Sequence, residues 1–263
     1  MRPREAEAVG LRPLSIASPT ETTQQPMTRE TSHPYTAGEK MSHLIADHYQ
    51  IIQVMSRFGI AVGFGDNCIS TVCRQNKVDC PTFLAVVNYV LSGTISDGDI
   101  CNVSVEALMQ YLRQSHIYFL QYFLPEIRRK LLDGIEFSTS DVSFLIIKFF
   151  DEYLHEVRTH MEYEERTVFA HINRLLHGDA PADYRIDVYS DHHEQVGDKL
   201  HELKNLIIKY CPDSASTNLL NTALYDIYRC EEELDSHCRV ENDILVPAIR
   251  LLEQKVTEGG VGQ

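Results

Sequence analysis

No run of basic residues occurs in this chain, whose 24 Lys and Arg face 38 Asp and Glu for a net charge of -14. Nucleic acids and anionic membrane surfaces are held by clustered Lys and Arg that displace counterions, so the balance argues against both partners. No stretch approaches the roughly 20 uninterrupted apolar residues of a spanning helix, and the N-terminus lacks the apolar core of a signal peptide. A soluble, cytoplasmic protein is therefore expected. CxxC pairs are absent as well. The seven cysteines are odd in number and scattered, which indicates neither a disulfide framework nor a zinc knuckle and fits a reducing compartment. No segment alternates with a two-residue period between hairpin turns, so the fold class expected is all-α.

What is present is ample core material: 43% of the 263 residues are hydrophobic. Residues 1–40, rich in Thr, Ser, Pro and Glu, bury too little to offset the entropy of ordering and are expected to be disordered, with Met41 a possible true start. Short helical patterns follow over 41–101: Ile45 to Phe58, a Gly59 to Gly65 break, Ile69 to Gln75, and Pro81 to Leu91, where the proline suits a first turn. They read as a small helical domain. The polar, turn-forming stretch Ser92 to Asp99 (SGTISDGD) marks the boundary. Beyond it, 102–255 carries four long segments of helical period, at about 103–133, 140–176, 183–210 and 215–254. Gly134, HGDAP at 177–181 and Cys211-Pro212 punctuate them. Four helices on short loops predict an up-down-up-down bundle, and 256–263 is read as a flexible tail.

One constellation recurs at a fixed offset. His116, His160 and Glu164 return 77 positions later as His193, His237 and Glu241, so each half has a lone histidine followed 44 positions on by His-x-x-x-Glu. Residues four apart on a helix share a face. A single HxxxE is weak, since solvated helices carry such pairs for ordinary charge-assisted stabilisation. Two in register, each with an upstream histidine, are not: four imidazoles and two carboxylates turned into a bundle core would otherwise be costly unpaired polar groups. Such a donor set, built from helix faces, suits two ions of iron, zinc or manganese.

The other assignments are weighed the same way. His116 lies in SHIYFLQYFLPEI, where a satisfied core histidine would look similar, and its offset is what promotes it. His192 and His193 point about 100° apart on a helix, so one alone faces the core. The repeat selects His193, with His192 as the alternative. His43, His48, His155, His171, His177 and His201 have no matched partner and are read as surface or capping residues. Cys230 and Cys238 are read as small buried apolar groups, with a redox role beside the centre as the sharper alternative. Tyr163 either packs or donates a hydrogen bond to the site.

At these residues the chain resembles the hemerythrin-like proteins, and among them the repair of iron centers family, over about 41–254. THMEYEERTVF, DHHEQVGDKL and SHCRVENDILVP carry the likeness, with Gly197 and Pro247 in place. The resemblance implies two non-heme irons, oxo- or hydroxo-bridged, on His116, His160, Glu164, His193, His237 and Glu241. It also implies binding of nitric oxide or dioxygen, and iron-sulfur client proteins in nitrosative and oxidative stress. Two departures stand out. Pro125 is one residue further from His116 than the pattern gives, so either that helix carries a bulge or another residue is the ligand. RFGIAVGFGDNC has Gly63 and Phe64 near the place of the family's vicinal cysteines, with Cys68 the nearest thiol. The thiol chemistry of that pair does not carry over, which leaves a sensing or binding module as the rival to catalytic turnover. Oligomeric state is not legible.

Overall fold

In the computed structural model the described residues are 33–135, 141–179, 186, 189, 198–211 and 216–259, and those from His33 onward form one compact unit. Among them there are helices and no strand, only an isolated bridge between Lys40 and Cys68.

The first helices are short because their sequence is punctuated. α1 (Met41–Asp47) and α2 (Ile51–Arg57) divide what reads as one pattern from Ile45 to Phe58. Tyr35 occupies the corner, its hydroxyl donating to Asp47 at 3.2 Å and its ring meeting His48 edge-on. It is buried, and its backbone N–H donates to Asn88 Oδ1 at 2.7 Å. A packed residue thus precedes Met41 within the stretch 1–40 expected to be disordered, because one aromatic side chain anchors an otherwise polar segment. Gly59, Gly63 and Gly65 all take positive φ in the loop that follows. α3 (Ile69–Gln75) and α4 (Cys80–Ser92) come next; Asp79 caps α4 by accepting from Thr82 N–H, and Gly93 ends it at φ 70°. The stretch read as a turn holds one of its own: Ser96 caps α5 (Asp97–Asn102).

Four rods then form the bundle. The first is α6 (Val105–Tyr118), a π-helical turn at Phe119–Phe123 and α7 (Leu124–Ile135). The second is α8 (Asp141–Tyr163), a π turn at Glu164–Val168 and α9 (Phe169–Leu176). The third is described as α10 (Asp198–Tyr210). The fourth is α11 (Thr217–Val240), a π turn at Glu241–Leu245 and α12 (Val246–Gly259). α7 packs on α8 and α11, and α10 packs on the same two, which closes the ring. The expected all-α bundle is the architecture found.

Burial follows the helical period. Along α11 the inward residues are Leu220, Ala223, Ile227, Cys230 and Leu234, and His237 and Glu241 continue the same three-four spacing. The core is in two clusters. One joins α1–α4 to the start of α6, to α9 and to Val240–Ile249; the other fills the bundle from Phe119 through Phe150 and Leu203 to Leu234. In each of the three rods traced through this level, the chain passes from one cluster to the other at His116, at Glu164 and at His237.

Candidate metal centre

Three rods bring five of the six sequence-predicted residues together. One donor atom from each of His116, Glu164, His237 and Glu241 lies within 4.8 Å of the others. His160 joins through Glu164, its Nε2 2.9 Å from Oε1, while His116 Nε2 stands 3.0 Å from Oε2 of the same carboxylate. His237 Nε2 is 3.2 Å from Glu241 Oε1. Both glutamates are fully buried and His237 is 1% exposed. His193 and its alternative His192 lie outside the described residues.

The π turns give the site its shape. Glu164 and Glu241 each open one, and a third begins three residues after His116. A π turn holds one residue more than an α turn and widens the helix locally, a feature common at functional sites. In the first rod it absorbs the extra residue before Pro125. Of the two alternatives left by that spacing, the structure has the bulge, and His116 points into the cluster.

Neighbouring groups fix the donors. Glu165 Oε1 is 3.1 Å from His116 Nδ1, and its other oxygen accepts from Arg113 Nε at 3.1 Å. A carboxylate on one ring nitrogen sets the tautomer and aims the other. Phe169 stacks parallel on His116 at 5.5 Å, and Phe119 meets the His237 ring edge-on at 5.9 Å. Tyr189, wholly buried, donates its hydroxyl to Glu164 Oε1. The sequence reading passed over Tyr189 and Glu165. The first offers one cue, standing four residues ahead of His193; the second offers none, because its partner is 49 residues away.

The electrostatics are those of crowded buried charge. Burial would push the Glu164 carboxyl up, but the imidazoles of His116 and His160 held against it outweigh burial and keep the group well below the usual range. Glu241 goes the other way: burial, reinforced by the Glu164 charge beside it, raises it well above that range. Burial would lower His116, yet its bonds to Glu164 and Glu165 lift it to about 9. His237 is kept neutral, by burial first and the nearby His116 charge second. Neither ring nitrogen of His237 completes a hydrogen bond, although Nε2 approaches Glu241 Oε1 to 3.2 Å. A buried imidazole that completes no hydrogen bond beside two buried carboxylates is what a cation would satisfy: the carboxylates balance its charge and the neutral imidazole donates a lone pair. The residues fit a metal.

The remaining assignments divide. His43, His155 and His201 are exposed, and His177 ends α9 with Nδ1 2.6 Å from Asn173 O. His171 is different. It is buried, its Nε2 2.8 Å from Glu253 Oε1, a core pair that no sequence spacing announces. Cys230 is a core residue with its thiol pushed up by burial, and Tyr163 packs against the first cluster.

Comparison with known proteins agrees with this chemistry. A family model described as Hemerythrin HHE cation binding domain matches residues 107–249, more than half of the chain. The iron-sulfur cluster repair protein ScdA of Staphylococcus haemolyticus is 19% identical over 211 residues, covering 78% of this chain and 95% of that protein.

Proposed function

The chain belongs to the hemerythrin HHE cation-binding family, and from that premise we propose a cytoplasmic non-heme di-iron protein that binds nitric oxide or dioxygen and supports repair of iron-sulfur clusters under nitrosative and oxidative stress. The observation that carries the metal part is the convergence of His116, His160, Glu164, His237 and Glu241 between the two core clusters, with neither His237 ring nitrogen completing a hydrogen bond. His193 completes the proposed ligand set. Two bound irons would supply an open coordination position for a diatomic molecule and the electrons to reduce it.

The chain's own residues prepare that chemistry. Glu165 aims His116, and Tyr189 orients Glu164. Phe119 and Phe169 line the imidazoles with apolar surface, which excludes bulk water and strengthens each charge interaction inside. The repair role is supported by the likeness to the staphylococcal protein. Among the described residues no helix is long and apolar enough to cross a membrane.

A sensing or binding module without turnover is the second reading, favoured by one feature. Gly63 stands near the place of the family's vicinal cysteines with φ 101°, a conformation in which a cysteine would be strained. The loop backbone at Gly63 thus disfavours one member of that thiol pair.

Metal content and the optical spectrum of anaerobically purified protein test the reading, beside a His160→Ala, His237→Ala double variant. About two irons per chain, with absorption that the double variant loses, is the expected result. A wild type that holds no metal after iron reconstitution overturns it. Nitric oxide consumption under reductant then separates repeated turnover from stoichiometric binding.

A further inference from the structure

Two part-buried polar contacts reach from the first four helices to the fourth rod, and they fall on either side of its His-x-x-x-Glu pair. From α2, the Arg57 guanidinium, 5% exposed, donates from Nη2 to Glu233 Oε2 at 2.7 Å. Glu233 is one turn before His237. Its other oxygen accepts from Arg229 at 3.2 Å, so the carboxylate is held at both ends. From α4, Tyr89, 4% exposed, donates its hydroxyl to Asp243. Asp243 lies two residues after Glu241, inside the π turn that Glu241 opens.

Arg57 also reaches His237 by packing. Its guanidinium carbon lies 5.2 Å from the centre of the Phe119 ring and 5.3 Å from that of Tyr118, and the Phe119 ring in turn meets the His237 imidazole. A cation on an aromatic face fixes that ring, and the ring's edge then limits how the imidazole can rotate. The contact matters because no completed hydrogen bond sets the orientation of His237, whose Nε2 only approaches Glu241 Oε1 at 3.2 Å. The π turn needs support for a similar reason: its backbone hydrogen bonding is less regular than that of the α-helix around it, and Tyr89 pins the middle of that turn from outside.

The geometry points to the N-terminal helices as the outer support of the metal-holding pair on the fourth rod, with Arg57 and Tyr89 as positioning residues for His237 and Glu241. The inference rests on the di-iron reading and deepens it, giving the small helical unit a direct hold on the centre that needs no thiol. Displacing these helices from the bundle would loosen the hold on two ligands at once.

The test loads the full chain with ferrous iron or, as a spectroscopic probe, cobalt(II), and compares wild type with Tyr89→Phe, Arg57→Met and a control, Tyr225→Phe, at an exposed tyrosine. Two quantities are followed well below the melting temperature: the rate at which a chelator strips the metal, and the cobalt ligand-field spectrum. Tyr89→Phe removes one oxygen and keeps the ring, so its fold persists. It is expected to lose metal about tenfold faster than wild type with a shifted cobalt spectrum, the size seen when outer partners of metal ligands are removed. Arg57→Met is expected to move both quantities in the same direction, and the control to move neither. Should Arg57→Met fail to fold, Tyr89→Phe decides alone. Variants that melt lower but keep wild-type spectra and release rates overturn the inference and leave the di-iron reading standing. Wild type that takes up neither metal overturns both.

Discussion

Glu164 and Glu165 are chain neighbours turned about 100° apart on one helix, and that angle gives them different work. Glu164 faces inward to His116 and His160, whereas Glu165 reaches across to the far nitrogen of His116 and to Arg113. The first was legible in the sequence because His160 and Glu164 are related by a local rule, one helical turn. The second was not, because its partners belong to another rod. Cys68 is a similar case. Its sulfur lies 3.4 Å from Ser70 Oγ and 3.2 Å from Thr71 Oγ1, and these hydroxyls, Ser70 foremost, lower the thiol to about 7. Cys73, close by in sequence, is instead pushed up to about 12 by burial. A lowered pKa means thiolate above about pH 7 and thiol below it, and the thiolate is the nucleophile. Carbamidomethylation of Cys68 by iodoacetamide, read by peptide mass spectrometry, should therefore climb steeply below pH 7 and level off above about 8, with Cys73 unlabelled throughout. A rate still climbing between pH 8 and 9 would show an ordinary thiol.

At the scale of elements, the sequence yields what local periodicity controls. The rod limits near 103, 133 and 176 follow from the apolar stripe, whereas the fourth rod runs on past the expected 254 to Gly259, and the site residues are legible because they occupy stripe positions as polar exceptions. The π turns are not written in that way. Only the displaced Pro125 betrays one of them, since a single extra residue changes no hydrophobic pattern that a short window detects. Close approach of rods is equally silent. Gly134 is read as punctuation and does stand in the last turn of α7, but it also lies against α11, its carbonyl accepting from Ser216 N–H at 2.8 Å. A Cβ built there would lie 3.0 Å from both Cγ and Cδ2 of Leu220 and 3.4 Å from its backbone nitrogen. The backbone distance is an ordinary contact, so the strain falls on the leucine side chain, which must give way, and on the two methyls that valine adds beyond its Cβ. Gly134→Val is thus expected to destabilise by about 1–3 kcal/mol through overpacking. A urea titration should show a lower midpoint, with metal stoichiometry unchanged because the substitution lies in the far cluster. An unchanged midpoint would mean that the two rods separate freely at this point.

For the whole molecule the question is whether the first helices stand apart from the bundle. The sequence marks a boundary at 92–99, and the chain does turn there, at Gly93 and the Ser96 cap. The packing runs straight across it. Met41, Ile51, Val72, Phe83 and Val86 lie in one cluster with Leu108, Phe169, Ile172, Ile244 and Ile249. Thr82 Oγ1 accepts from Ser104 N–H at 2.8 Å, and Tyr35, from a stretch whose composition reads as disordered, ties to Asn88 in the same layer. Fully burying one large apolar side chain stabilises by roughly 1.5–3 kcal/mol, and several bundle residues owe their burial to the N-terminal helices. Losing even a few such terms uses up the 5–15 kcal/mol by which a folded chain exceeds its unfolded state. The intact chain should consequently unfold in one cooperative transition whether followed by helical signal or by tyrosine fluorescence. A shortened chain covering 103–263 should lack that cooperativity, bind a hydrophobic dye and aggregate, since the inner faces of α6, α9 and α12 would meet water. A soluble, cooperative 103–263 fragment would instead make the N-terminal helices a separable domain. The polar band of His116, Glu164, His237 and Glu241 lies between the two clusters, so loss of the first cluster uncovers one side of the site as well. The fragment should then surrender bound metal to a chelator far faster than the intact chain, even before it aggregates.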